Sequence, residues 1–292
     1  MSKIQKTYSR LFAKALGHCI AAIQVVSPTM SARIAYWWWR RTRRVPSSEK
    51  ESALKARSER TSIIFENTRI QLYRWGKPPY ILLVPGWNGR AGQFRNIVEN
   101  LEHSGYGLLA CEPPGHGESD GSATSILQIA RLVTQLVETQ SEITGFIGHS
   151  AGAIGGFIGL LNAGKNIEKA VFIGMPVDTR QMLETYCQQL NLRPATRQFL
   201  TERFLAQHGI DAFERSSPIV LARQYARPWL IIHDKQDRIV NPGQAVELHN
   251  RLSLSVYYES NGFGHFRTLH AAPVLSRICD YFNEISPKKT ES

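Results

Sequence analysis

The chain has 292 residues, 42% of them hydrophobic, which is enough to bury the core of one large domain or two small ones and excludes a chain too polar to fold. Its formal charge of +11 suggests nucleic acid, yet residues 1–60 hold 13 Lys and Arg against 3 Glu (net +10), while the remaining 232 hold 22 basic and 21 acidic residues (net +1). The charge therefore belongs to an N-terminal arm, the body is near neutral, and no nucleic-acid partner is expected.

Four scattered cysteines (Cys19, Cys111, Cys187 and Cys279) form no C-x-x-C pair and read as reduced thiols in a cytoplasmic protein. No H-E-x-x-H motif appears and the nine His do not cluster at ligand spacing, so neither a metal nor a cofactor is expected.

The arm, residues 1–60, opens with an apolar run from Leu11 to Val26, interrupted by Lys14, His18 and Gln24 and too short and polar for a transmembrane span. It also lacks the unbroken apolar region and cleavage site of a signal peptide. Ser27-Pro28 has the form of an N-cap followed by proline at the first helical position, predicting a helix to Arg44. That helix ends in Trp37-Trp38-Trp39-Arg40-Arg41 and then Arg43-Arg44. Two readings stand: the tryptophans pack on the body above a solvated basic helix end, or the cluster holds the protein peripherally at the inner membrane surface. Val45 to Glu59 reads as a polar connector.

From residue 61 to about 287 the chain reads as one α/β domain. Ile63–Phe65 and Ile70–Trp75 are predicted as an antiparallel pair turning at Asn67. Tyr80–Val84 is a buried strand ending in Pro85-Gly86-Trp87-Asn88-Gly89, followed by a helix to about His103 and the strand Gly107–Cys111. The turn Glu112 to Ser119 contains His116, which has the look of a base but sits in a Gly-Pro turn where a structural role is preferred. A helix from Thr124 to Glu138, a strand, a helix and the strand Ala170–Ile173 follow. This alternation predicts a mostly parallel, doubly wound sheet.

Met175 to Ala226 breaks the alternation with helical periodicity and no strand signal. It reads as a small helical lid whose Met182, Tyr186, Leu190, Phe199 and Phe204 would line a substrate pocket, or as two ordinary surface helices. The strand Pro228–His233, a helix from Pro242 to Leu252, a strand at Ser255–Tyr258, the loop Ser260 to Arg267 and a helix to Ile285 complete the chain.

Chemistry concentrates at Gly148-His149-Ser150-Ala151-Gly152, a G-x-S-x-G between a strand and a small-residue helix. Both flanking positions are Gly because the turn is too tight for side chains. The amide of Ala151, at the helix start, can face an oxyanion, and the amide of Trp87 is the second candidate donor. A serine hydroxyl needs a base and the base needs a carboxylate; the order Ser150, Asp237, His265 supplies both at strand ends. Asp234 and Asp178 compete with Asp237 for the acid position.

These residues, with Val84-Pro85-Gly86-Trp87, Pro114-Gly115-His116-Gly117 and His233 to Val240, resemble the α/β-hydrolase superfamily over residues 61–285. The resemblance implies the α/β-hydrolase fold, with Ser150 as nucleophile, His265 as general base and then acid, Asp237 as its orienting carboxylate, and Trp87 and Ala151 as oxyanion donors. Two positions depart from the pattern: Pro85-Gly86 replaces the usual His-Gly, and Glu112 replaces an Asp. Serine at the elbow disfavours dehalogenase, epoxide hydrolase and dienelactone hydrolase chemistry. Hydrolysis of a small-molecule carboxylic ester or thioester is the leading expectation. The alternatives are acyltransferase, lyase or cofactor-free haloperoxidase activity on the same fold, and a non-catalytic membrane-surface or partner-binding protein.

Overall fold

The computed structural model describes residues 17–102, 104–165, 167, 169–222 and 227–284. The start of the predicted apolar run and the predicted element ends at His103, Ala226 and Ile285 lie outside them. The chain divides into two compact units, one built from residues up to Arg41 with Asp178–Ser217, the other from Thr42–Val177 with the chain from Pro218 onward.

The second unit is organised by eight strands: β1 (Glu59–Phe65), β2 (Thr68–Trp75), β3 (Tyr80–Val84), β4 (Gly107–Cys111), β5 (Ile143–His149), β6 (Lys169–Ile173), β7 (Leu230–Asp234) and β8 (Val256–Ser260). Their order is β1-β2-β4-β3-β5-β6-β7-β8. The first two pairings are antiparallel and the other five parallel. The hairpin forms because Glu66 and Asn67 both adopt positive φ, the requirement of a tight two-residue turn. From β3 the chain steps back to β4 on one side and later places β5 on the other. The strand order therefore reverses between β3 and β5, the kind of switch point beside which ligands bind in open parallel sheets.

Strands β3, β4 and β7 are buried throughout, which is why they read as continuous apolar runs. On one face Ile81, Leu83, Ile147, Val171 and Ile232 pack with Phe94, Ile97 and the helix Ala272–Asn283. On the other, Phe146, Phe157, Phe172 and Trp229 form an aromatic cluster. Helices Ile126–Thr139 and Ala151–Asn162 pack closely there, since a Cβ on Gly159 would lie 2.6 Å from the Ala130 carbonyl oxygen.

The predicted connector contains the helix Glu49–Ala56, started by a capping box between Ser48 and Glu51, with Leu54 buried in the sheet unit's core. The basic cluster also differs from the prediction. Its helix, Pro28–Arg40, stops four residues short of Arg44, and Arg44 donates to the carbonyls of Ser119 and Gly121. The start was legible: Ser27 Oγ accepts the Met30 amide and Pro28 opens the first turn.

In the first unit, residues 17–26 are helical and are followed by Pro28–Arg40, Thr179–Gln189, Pro194–His208 and Ala212–Arg215. Pro28–Arg40 buries Ala32, Ala35 and Tyr36, and the Tyr36 hydroxyl donates to Gln207 at 2.8 Å. No helix among the described residues is long and apolar enough to cross a membrane.

Candidate active site

Ser150 sits at the end of β5 with φ 52° and ψ −117°, a conformation that costs a non-glycine residue of order 1–3 kcal/mol. Its neighbours make the turn possible. A Cβ on Gly148 would come within 2.6 Å of Ala153 Cα, and one on Gly152 would collide with the carbonyl oxygens of Val84 and Pro85. The Ser150 amide donates to the Ile173 carbonyl at 2.9 Å, and its own carbonyl accepts from Ala153 and Ile154, fixing the turn on both sides. The side chain is thereby held at the β3/β5 reversal.

His265 lies in the short helical turn Gly264–Arg267 after β8. Its Nε2 is 2.9 Å from Ser150 Oγ, and its Nδ1 is 2.7 Å from Asp237 Oδ2. A carboxylate can only accept, so Nδ1 carries the proton and Nε2 is left to accept from the serine hydroxyl. Gly174 brings backbone against the ring, with a Cβ there only 3.3 Å from Nδ1.

Asp237 is nearly fully buried. Its Oδ1 accepts the amides of Ile239 (2.8 Å) and Val240 (3.0 Å), while Oδ2 also lies 3.2 Å from His233 Nε2. Burial by itself would raise this carboxyl; the hydrogen bonds from His233 and His265 outweigh it and hold the group well below the usual carboxylate range. It is therefore an anion at any pH at which the imidazole works.

The competing carboxylates are engaged elsewhere. Asp234 accepts from Gln236 N and Gly264 N on one oxygen, and from Ser260 Oγ and Phe263 N on the other, so it fastens the loop that carries His265. Asp178, in the helical unit, caps the helix Thr179–Gln189 by accepting the amides of Arg180 and Gln181.

Three further histidines shape the site. His149 is buried beside Ser150, its Nε2 2.9 Å from the His265 carbonyl and its ring 4.9 Å from the His265 ring. Burial, reinforced by the neighbouring His265, pushes it down to about 3, so it is a neutral strut that donates to the loop. His116 has the structural role preferred from its turn. Its Nδ1 donates to the Pro114 carbonyl at 3.0 Å and its Nε2 accepts the Asn88 amide at 3.1 Å, while burial pushes it down to about 4. It thereby ties down the loop after β3. His233 contacts Asp237 as described and keeps a buried Nδ1 with no partner among the described residues. Sequence reasoning assigned nothing to His149 or His233, because a buried histidine's partners are set by tertiary structure.

The loop after β3 runs close to the serine: a Cβ on Gly86 would be 3.0 Å from Ser150 Cβ. Trp87 is the next residue, and Ala151 opens the helix, where a first-turn amide has no intrahelical acceptor. Glu112, which stands where an Asp is usual, is buried and accepts the amides of Ala91 and Glu118, joining that loop's following turn to the His116 turn. Burial pushes its carboxyl up.

The five pocket candidates all belong to the helical unit. Tyr186 donates to the Ala35 carbonyl and packs on Trp39, Leu190 is buried, and Phe204 stacks on Phe213. Met182 is half-buried, and Phe199 is 40% exposed. Among the described residues, no three His, Cys, Asp or Glu side chains are grouped to hold a metal ion.

The sequence model of the alpha/beta hydrolase fold matches residues 79–217. No curated protein matches the sequence. Among solved structures, the esterase Pf2001 of Pyrococcus furiosus is similar at 19% identity and TM-score 0.63, over 82% of this chain and 95% of its own. A putative lipase of Acinetobacter baumannii AYE is similar at 18% identity and TM-score 0.58, over 80% of this chain and 98% of its own. The thioesterase domain from the curacin biosynthetic pathway is similar at 15% identity and TM-score 0.59, over 76% of this chain and 99% of its own.

Proposed function

We propose that this chain, whose fold is that of the α/β-hydrolase superfamily, is a serine hydrolase that cleaves carboxylic ester or thioester bonds through an acyl-enzyme. The observation that carries the reading is the unbroken line from Ser150 Oγ to His265 Nε2 at 2.9 Å and from His265 Nδ1 to Asp237 Oδ2 at 2.7 Å.

In this reading His265 Nε2 takes the hydroxyl proton as Ser150 Oγ attacks the acyl carbon, and the buried Asp237 carboxylate stabilises the imidazolium that forms. The carbonyl oxygen becomes an oxyanion, for which the amides of Ala151 and Trp87 are the proposed donors. Collapse expels the alcohol or thiol, which takes the proton back from His265. Water then repeats the sequence on the acyl-enzyme, with His265 again acting as base and then acid. The names of the similar structures, an esterase, a putative lipase and a thioesterase, support an acyl substrate.

The proposal divides the labour along the chain. Residues 61–287 carry the chemistry, the insertion at 175–226 supplies acyl contacts from Met182, Tyr186, Leu190, Phe199 or Phe204, and residues 1–60 govern location in the cytoplasm. The test is hydrolysis of a p-nitrophenyl ester series graded from acetyl to palmitoyl, with an acyl thioester alongside, by the full chain and by Ser150→Ala. Hydrolysis should fall by on the order of a millionfold in the variant. Undiminished hydrolysis in Ser150→Ala would overturn the assignment, and so would a wild-type chain that cleaves no member of the series.

A further inference from the structure

Among the described residues of the helical unit, 17–41 hold Arg33, Arg40 and Arg41 and no Asp or Glu, whereas 178–217 hold five of each sign, so the positive surplus of these residues comes wholly from the N-terminal part. On the helix Pro28–Arg40, Met30, Arg33 and Trp37 share one face at three- and four-residue spacing, opposite the buried Ala32, Ala35 and Tyr36 side. All three are exposed: Met30 is 48% open and Trp37 50%, with the Arg41 guanidinium lying 4.3 Å over the Trp37 ring. Val26, at the end of the preceding helix, is 88% exposed.

Between this helix and Pro194–His208 runs a groove of about 500 Å³, lined by Arg33, Arg203, Thr29, Gln207, Phe199 and Glu202. Neither Arg33 nor Arg203 makes an ion pair with a described residue, while the Glu202 carboxylate takes a hydrogen bond from Gln198. Arg203 lies 5.6 Å over the Tyr36 ring, with Arg40 at 6.0 Å from the same ring, so the groove is net positive even with Glu202 included. Two open guanidiniums in a concave site suit a phosphate. Exposed Trp37, Met30 and Val26 on the N-terminal helices that also supply Arg33 suit the headgroup and acyl boundary of a bilayer and not a free anion in water.

We propose that this unit docks on an anionic phospholipid surface, with Arg33 and Arg203 holding a headgroup phosphate in the groove and Trp37 and Met30 entering the interface. The site lies apart from Ser150, His265 and Asp237 in sequence and in unit, and the inference is independent of the ester-cleaving assignment.

The test is sedimentation of the full-length protein with vesicles of phosphatidylcholine alone and of phosphatidylcholine with phosphatidylglycerol. It is run at low salt and again at about 0.5 M NaCl, where the screening length is a few Å. The full chain should pellet with the anionic vesicles at low salt, be released at high salt and ignore the neutral vesicles. Arg33→Gln/Arg203→Gln should weaken partitioning by about 25-fold, about fivefold per arginine. Trp37→Ala should weaken it several-fold at low salt. Circular dichroism checks that each variant is folded, and Trp37→Tyr replaces Trp37→Ala if the latter is not. Absent binding at low salt, equal binding to both vesicle types, or unchanged binding in the folded variants would overturn the proposal. Binding of inorganic phosphate without vesicle binding would put a soluble anion in the groove and overturn it too. Sedimentation reads no hydrolysis, so its outcome is separate from that of the ester assay.

Discussion

His116→Gln should change how stability depends on pH, because His116 is buried as a neutral ring that both donates and accepts. An ordinary imidazole titrates at 6.5, and burial pushes His116 down to about 4. Between these values the unfolded chain binds a proton that the folded chain refuses. The stability contributed by the neutral ring is therefore complete above 6.5 and lost as pH falls toward 4. At about pH 5 the loss from this one side chain is about 2 kcal/mol. Glutamine can still accept the Asn88 amide but cannot also reach Pro114 as the ring does, so the variant should start about 1 kcal/mol less stable at about pH 8. Glutamine does not titrate, so the gap should close or reverse by about pH 5. Urea unfolding followed by tryptophan fluorescence at both pH values measures the gap. His149, pushed down to about 3, adds an acid loss of its own that is common to both proteins and cancels in the difference. A gap of the same size at both pH values would show that His116 does not sit as a neutral ring, and would refute the reasoning.

Asp237→Asn should lower ester turnover by about ten-thousandfold without unfolding the chain, since it upsets the tautomer of His265, as kinetics and circular dichroism together would show. Asp234→Asn removes an acceptor for the Phe263 amide and should cost about 1–3 kcal/mol in urea unfolding while Ser150 still reacts with an active-site probe. Gly152→Ala would drive a methyl into the carbonyls of Val84 and Pro85 and should cost about 1–3 kcal/mol, with loss of turnover as the β3 end moves. Phe204→Ala should destabilise by about 3 kcal/mol or more because its ring is stacked on Phe213, whereas the half-open Phe199 should cost far less. A shift in acyl-length preference in either phenylalanine variant supports the insertion as the specificity element; unchanged preference in both removes it.

What could be read from the sequence was what local sterics or periodicity dictate. Gly148 and Gly152 flank Ser150 because the turn leaves no room for a Cβ, and that demand is visible in five residues. The alternation of elements told of a mostly parallel sheet. The capping box at Ser48 and Glu51 is equally local, but it lies in a polar stretch that reads as a connector, although it opens a helix that buries Leu54. Other features depend on residues far apart in the chain. Asp234 and Asp237 are both carboxylates at one strand end, and only the fold shows that Asp234 is occupied by four donors, three of them on the His265 loop, while Asp237 meets the imidazole. Arg44 reads as a solvated helix end, yet it serves the carbonyls of Ser119 and Gly121, more than seventy positions away.

The central claim is that Ser150 is a nucleophile activated by His265, and its most direct measurement is reaction with a fluorophosphonate followed by peptide mass spectrometry. The account predicts one phosphonylated residue, Ser150, with labelling abolished in Ser150→Ala and strongly slowed in His265→Ala. A native chain that does not react, or one that is modified at another residue and just as fast in Ser150→Ala, would contradict it.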